Sequence, residues 1–455
     1  MKEQLVIIPN PKLFEVTQKV TSFDRKLKNQ IALMEQFLKS HEGAGLAANQ
    51  IGYDNRVIVI GFEDPQEKKN SIPFQVFINP EIVEYSEEKE SLEEGCLSLP
   101  QIELPVERSL KIKFRGQNPL GKKIKLVARG VLARILQHET DHLNGIIFTE
   151  HVKEKFLGKN PNLKKLKIIF MGSGEFAAPI LKGLILLGFN PLIITEKGKP
   201  AGREQKIKST PVAELAQLFG KKIIEIENLK SDFRSPSFDF RAFDLLICAD
   251  FGQKIPEEIL KLAKIAAINI HPSLLPKYRG AAPIPAMILE GEKETGVSII
   301  RMTAEFDQGP ILAQIKTEVY PTDNSLALEN RLATLGVKLL YETIPLLAKR
   351  ELREIAQDEK KATWAKKLQK TDGEINWENP PEKIERQIRA FYPWPGSYTF
   401  LPDGKRLIIH RSHLAGEGLV LDLVQPADGK SMKWAEFLRG FRGAKPSWFT
   451  KIKGV

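Results

Sequence analysis

Cysteine is nearly absent: Cys96 and Cys248 are the only two in 455 residues. Two thiols do not make a disulfide framework, and if one serves as a ligand the other has no partner. The chain therefore reads as one for a reducing cytoplasm. Long apolar runs are missing too; none approaches the ~20 residues that span a bilayer, and the N-terminus lacks the charged-then-apolar order of a secretory signal. No membrane role is expected. Acidic residues fall short of basic ones, leaving a formal net charge of +11, which points to an anionic partner. What remains is the ordinary make-up of soluble globular protein, 42% hydrophobic and 27% charged, at a length that holds roughly two to four domains.

The stretch that dictates chemistry most tightly is Gln137-His138-Glu139-Thr140-Asp141-His142. On a helix, His138 and His142 leave the same face, supplying half of a tetrahedral metal site, with Glu139 beside them as a candidate base. Val131, Leu132, Ile135 and Leu136 supply an apolar stripe and Asn144-Gly145 a stop signal, so a helix is the expected setting. A surface helix with two unrelated histidines is the bland alternative. Upstream, Glu94-Gly95-Cys96-Leu97-Ser98 offers a thiolate as a natural third ligand. Earlier still, Gly43-Ala44-Gly45-Leu46-Ala47-Ala48-Asn49-Gln50 is a small-residue loop ending in an amide able to donate to a developing oxyanion.

These three segments, in this order, resemble peptide deformylase, over residues 1–157; Asn49 stands where many members of that family carry proline. The resemblance implies metal ligands Cys96, His138 and His142, with water in the fourth position acidified by the ion. It implies Glu139 as the residue that takes the water's proton and returns it to the leaving amine. Gln50 and the Leu97 backbone N–H would stabilise the oxyanion, and the Gly45 backbone would touch substrate. Ferrous iron is the expected ion, with zinc able to occupy the same ligands.

Along the first third, residues 24–41 read as a helix with Leu27, Ile31, Met34 and Leu38 inward and Thr21 and Asp24 as a capping box. Short strands are expected at 57–60, 76–78, 110–114 and 123–127, giving an α+β domain. A basic stretch over 153–167 with Gly158 and Pro161 reads as a linker. Beyond it, apolar runs at 166–171, 192–195, 222–226, 244–249 and 266–270 alternate with helical stretches, the rhythm of a Rossmann-like α/β domain. Gly172-Ser173-Gly174 looks like a nucleotide-binding turn, but no acidic ribose partner follows, so a tight strand-to-helix turn is the better reading.

The second informative stretch runs from Asn269-Ile270-His271-Pro272-Ser273 to Arg279-Gly280-Ala281-Ala282-Pro283, leaving the end of an expected parallel strand, where ligands bind in such sheets. Asn269 and His271, two apart, share a strand face; an amide donor beside an imidazole suits acyl transfer. Asp307, in Phe306-Asp307-Gln308-Gly309-Pro310, is the carboxylate best placed to orient that histidine. Without such neighbours, a lone histidine in a Pro-rich loop would be the better reading. The segment closely resembles methionyl-tRNA formyltransferase, from Leu166 to the C-terminus. It departs from the family pattern at Thr303-Ala304-Glu305, where Asp-x-Gly is usual, and at Gln308, commonly threonine. The resemblance implies that the methionyl α-amine attacks the formyl carbonyl of 10-formyltetrahydrofolate. Asn269, His271 and Asp307 would form the polar centre, and Ser273, Leu274, Leu275 and Pro276 would help build the folate pocket.

Two basic regions complete the picture. The loop Thr195–Arg203, continuing through Lys206 and Lys208, matches the family's tRNA-contacting insertion, with Arg203 at the motif's arginine. Residues 325–354 read as helix, and the end of the chain carries Lys430, Lys433, Arg439, Arg442, Lys445, Lys451 and Lys453 against Glu436 alone. That region resembles the family's all-β C-terminal barrel of oligonucleotide-binding (OB) type. The expected whole is multi-domain: a deformylase-like metal hydrolase at 1–157, a linker at 158–165, a formyltransferase domain at 166–352, a linker at 353–370 and a tRNA-binding OB-like barrel at 371–455. It would formylate initiator methionyl-tRNA and deformylate N-formylmethionyl nascent peptides, with ribosome contact left open and no DNA or membrane partner. Three rivals share parts of these signals: a transferase for a small amine, an idle docking module in place of the hydrolase, and a metalloprotease.

Overall fold

The computed structural model describes residues 4–41, 43–63, 71–201, 206–232, 243–416, 418–427, 429–441, 443 and 446–452. The chain divides into two compact units, Met1–Lys165 with the short pieces Lys182–Phe189 and Leu218–Gly220, and the rest of Leu166–Val455.

In the first unit the helix Arg25–Ser40 turns Leu27, Gln30, Met34 and Leu38 inward. Its start is a single-residue cap in place of the expected Thr21–Asp24 box: the Asp24 carboxylate accepts from the N–H groups of Lys26 (2.9 Å) and Leu27 (3.0 Å), which leaves nothing for Thr21 to do. An antiparallel sheet follows in the order Gly45–Ala47, Val57–Phe62, Ile72–Tyr85, Lys111–Gln117, Lys123–Arg129. Against it lies the helix Gly130–Leu143, whose Ala133, Ile135, Leu136 and Leu143 join Ile58, Ile60, Phe77 and Phe114 in one core. Val131, expected in that stripe, is exposed. The hairpin Lys89–Cys96/Leu99–Ser109 was not anticipated, because residues 89–93 of its first strand are polar or solvent-facing. Its second strand alternates buried and open positions, and Cys96 ends the first, where the chain turns back at Leu97 and Ser98.

The second unit is built on a seven-stranded sheet ordered Ile223–Ile226, Leu192–Glu196, Ile168–Gly172, Phe243–Ala249, Ala263–His271, Glu294–Arg301, Ile311–Glu318. The first five strands run parallel, and the last two are added through antiparallel pairings, so only Glu294–Arg301 runs against the rest. The strand order reverses around Ile168–Gly172, so ligands are expected beyond the carboxyl ends of the neighbouring strands. Gly172-Ser173-Gly174 is a tight turn: Ser173 N–H donates to the Asp250 carbonyl, and a side chain at Gly174 would collide with the Asp250 carboxylate. The helix Ser325–Lys349 buries Leu328, Leu332, Leu339 and Leu340, with Leu335 only half-buried. Residues 353–370, expected as a linker, follow the sheet closely. Ile355 bridges Ile311, and Trp364–Ala365 pairs in parallel with Arg279–Gly280.

The C-terminal part carries a four-stranded antiparallel sheet, Ser397–Phe400, Arg406–Ala415, Gly418–Pro426 and Met432–Lys433, over a core that includes Ile384, Ile388, Leu407, Trp434 and Trp448. The expected closed barrel is not found among the described residues. Its last strand is two residues long and passes directly into the helix Trp434–Gly440, so the sheet ends where a closing strand would begin. No helix among the described residues is long and apolar enough to cross a membrane.

Leu136 is fully buried between helix and sheet. Leu136→Ala should cost about 2–5 kcal/mol of stability in the first unit, read as a lower urea midpoint for that unit's transition in the full chain. A loss below about 1 kcal/mol would show that the helix does not depend on this core.

Candidate functional site

In the first unit the cysteine arrives on the hairpin and the histidines on the helix. Cys96 Sγ lies 3.2 Å from His142 Nε2, and the donor atoms of Cys96, His138 and His142 all fall within 4.8 Å of one another. A thiolate and two imidazoles in that compass suit a borderline-soft divalent ion, so the residues present fit the metal that the sequence implies. His138 Nδ1 is engaged by Glu94 Oε2 at 3.0 Å, which turns its Nε2 towards the cluster.

Glu94 is itself gripped. Its buried carboxylate accepts from Arg108 Nε and Nη2 (3.0 Å each) and from Arg134 Nη1 (2.7 Å). Burial alone would raise its pKa, but the hydrogen bonds from His138 and Arg108 hold it at about 2. Arg108 also pairs with Asp141, which accepts from His151 Nε2 at 2.8 Å. None of this network was foreseen. A signal existed for its centre: Glu94 lies two residues before Cys96, in the segment already singled out for its thiol.

Glu139 has the opposite surroundings. It is 4% exposed, its Oε2 has no hydrogen-bond partner among the described residues, and burial pushes the carboxyl up to about 7. A side chain at Gly45 would overlap this carboxylate, so glycine there is what lets Glu139 occupy the site. Gln50 Oε1 accepts from Ala47 N–H (2.7 Å), and its Nε2 reaches Ser98 Oγ (3.2 Å) and Cys96 Sγ (3.5 Å). Leu97 follows Cys96 in the turn between the hairpin strands. Asn49, which sequence reasoning treated as a loop variation, donates from Nδ2 to the His142 carbonyl at 2.6 Å and pins the end of the histidine helix.

In the second unit Asn269 and His271 end the strand Ala263–His271, and the 302–310 loop brings Asp307 to them. Asn269 Nδ2 donates to Asp307 Oδ1 at 3.1 Å, and Asp307 Oδ2 is 3.7 Å from His271 Nδ1 and accepts from Gly280 N–H at 2.9 Å. His271 Nε2 donates to the Tyr278 carbonyl at 2.8 Å, so in the neutral ring Nδ1 is the basic nitrogen. Ser273–Pro276 form a turn clamped from inside. Ser298 Oγ donates to the Ser273 carbonyl (2.6 Å) and accepts from Leu275 N–H (3.0 Å). Ser273 Oγ is fully buried and donates to the Lys277 carbonyl at 2.7 Å; it shapes the turn. The backbone of the basic loop forms a small hairpin, Lys199–Ala201 with Lys206–Lys208. Arg203 lies outside the described residues, as do Arg442, Lys445 and Lys453 and the side chain of Lys451.

Three family models match along the chain: polypeptide deformylase over residues 2–156, formyl transferase over 164–344, and formyl transferase C-terminal domain over 367–418. Among curated proteins, the methionyl-tRNA formyltransferase of Enterococcus faecalis is 37% identical over 297 residues, 60% of this chain and 95% of that protein. The one from Geobacter sulfurreducens is 35% identical over 60% of this chain and 93% of its own length. Among solved structures, a peptide deformylase from Thermotoga maritima is 36% identical, covering 33% of this chain and 96% of that one, with a TM-score of 0.30. A Met-Ala-Ser-bound class I type b peptide deformylase from Acinetobacter baumannii is 32% identical over 32% and 96%, with a TM-score of 0.32.

Glu94→Gln removes the charge that orients His138 and leaves Arg108 and Arg134 less compensated. It should weaken divalent-ion binding at the Cys96 cluster by about 10- to 100-fold, measured by competition with a chromophoric chelator. Unchanged affinity would mean that the ligands are oriented without Glu94.

Proposed function

Because the chain belongs to the methionyl-tRNA formyltransferase family and carries a polypeptide deformylase domain ahead of the transferase region, we propose that each activity has its own carbonyl-handling centre in this one polypeptide. The observation that supports this most directly is the pairing of two separate constellations, Cys96–His138–His142 beside Glu139, and Asn269–His271–Asp307. The division follows as 1–157 for the hydrolase, 166–352 for the transferase and 371–455 for an RNA-facing part of OB-like descent, joined by 158–165 and 353–370.

In the transferase, the α-amine of initiator methionyl-tRNA attacks the formyl carbon of 10-formyltetrahydrofolate. The amide of Asn269 has two N–H groups; one holds Asp307, and the other is free to donate to the oxyanion. His271, fixed through Nε2, takes the amine's proton at Nδ1, and Asp307 stabilises the imidazolium that results. The proton then goes to the departing folate nitrogen. The clamped turn with Leu274, Leu275 and Pro276 forms part of the folate pocket. The Lys199–Lys208 loop with Arg203 and the basic C-terminal end neutralise tRNA phosphates.

In the hydrolase, Cys96, His138 and His142 would hold one divalent ion, iron or zinc, which when bound supplies Lewis acidity and an acidified water. Glu139 accepts the proton of the attacking water and delivers it to the leaving amine of the N-formylmethionyl peptide. Gln50 Nε2 and the Leu97 N–H donate to the formyl oxygen as it gains charge, and the Gly45 backbone borders the substrate. Both substrates belong to translation, so the cytoplasm is the compartment this reading assigns.

Assays of the full chain on both substrates test the division. Glu139→Ala should lower deformylation by about 10²–10⁴-fold and leave formylation at the parental rate. Asn269→Ala should lower formylation by about 10²–10³-fold and leave deformylation alone. A variant that depresses both reactions alike would contradict two independent centres.

A further inference from the structure

The segment between the transferase sheet and the C-terminal part makes a set of contacts that the mechanism above does not use. Ile355 and Ile311 exchange backbone hydrogen bonds of 2.9 and 2.8 Å, just past the loop that carries Asp307. Further on, Arg279 N–H donates to the Thr363 carbonyl (2.8 Å), Ala281 N–H to the Ala365 carbonyl (3.1 Å), and Tyr278 N–H to Thr363 Oγ1 (2.8 Å). One strap thus ties down both the loop holding Asp307 and the loop following His271.

Gln357 sits at its centre. Its Nε2 donates to the carbonyls of Asp307 and Gly309, 2.7 Å each, and its Oε1 accepts from Arg279 Nε (3.1 Å) and Nη2 (2.8 Å). Arg279 is 1% exposed and also pairs with Glu359. Its chain neighbour Gly280 gives its N–H to the Asp307 carboxylate. The result is a closed ring: Asp307 carboxylate, Gly280 backbone, Arg279 side chain, Gln357 amide, Asp307 carbonyl. Asp307 has a left-handed backbone, φ +54°, which a non-glycine residue holds only when its surroundings impose it. Only a side chain with an acceptor at one edge and a two-armed donor at the other closes this ring, and an amide of glutamine length does so.

We infer that Gln357 is a positioning residue for formyl transfer, holding the Asp307 main chain so that its carboxylate meets Asn269 and His271, and that the strap over residues 355–365 is part of the transferase centre. This rests on the transferase reading above and adds a residue to it. Misplacing a reacting group by about 1 Å can cost 10²-fold in rate, so the effect belongs in turnover and not in binding.

The test is steady-state formylation of methionyl-tRNA by the full chain carrying Gln357→Ala or Gln357→Glu. Alanine removes the bridge; glutamate keeps a partner for Arg279 but sets a carboxylate against two carbonyls. Both should lower kcat by about 10- to 100-fold, with KM for methionyl-tRNA and for the folate within about threefold of parent. Glutamate should do no better than alanine. A role confined to propping Arg279 predicts the reverse, with glutamate restoring the rate, and that result would overturn the inference. So would kcat within threefold of parent in both variants, or a loss seen only in KM. Direct tetrahydrofolate binding shows whether each variant's pocket is folded. Should either fail that control, Arg279→Lys, which loses the two-pronged hold on Gln357, is the second variant; parental kcat there overturns the inference equally. An inactive parent chain would instead sink the transferase reading itself.

Discussion

A carboxylate taken out of water must be surrounded by donors, and both centres of this chain are organised around meeting that demand. Glu94 receives bonds from two arginines and a histidine, and the same bonds that make its burial tolerable fix the ring of His138 beside Cys96. Asp307 receives bonds from the Asn269 side chain and the Gly280 backbone, and this sets an amide and an imidazole at the end of one strand. In each case the carboxylate, buried in Glu94 and mostly buried in Asp307, acts by holding its neighbours still, which is what preorganised acyl chemistry requires.

Glu139 shows what happens when donors are withheld. It lies one residue from His138, yet one of its oxygens has no partner among the described residues and its carboxyl is pushed up to about 7. Glu94, 44 residues from His138 in sequence, is held at about 2. Two glutamates in one small site thus differ in proton affinity because of their surroundings alone. The one with donors serves as a fixed anion, and the one without them suits proton transfer near neutral pH.

Much of this was legible in the sequence because its signals are local. The i, i+4 histidines, the alternation of apolar runs after Leu166 and the Asn269–His271 spacing each follow from one element's periodicity. What escaped is long-range. Arg108, Arg134 and Gln357 sit in unremarkable surroundings in sequence and acquire partners 14, 40 and 50 residues away. The 89–96 strand hid because its residues 89–93 face solvent, and Val131 looked like core because it adjoins a stripe that holds at Leu132, Ile135 and Leu136 but does not extend back to it. At the C-terminus, the resemblance to an all-β barrel agreed with the strands Arg406–Ala415 and Gly418–Pro426 but could not tell an open four-stranded sheet from a closed barrel, since closure depends on a short last strand running into a helix.

Joining the two activities does not oblige them to undo each other: one is proposed to act on an aminoacyl ester, the other on a peptide, through proton-handling groups assigned to different residues. The most direct measurement is to strip the purified chain of metal with a chelator, then follow both reactions before and after adding back iron or zinc under reducing conditions. Deformylation should collapse and return with the ion, while formylation of methionyl-tRNA, for which Asn269, His271 and Asp307 are the proposed centre, should proceed throughout. Formylation lost and regained in step with the metal, or deformylation indifferent to it, would contradict two separately built carbonyl centres.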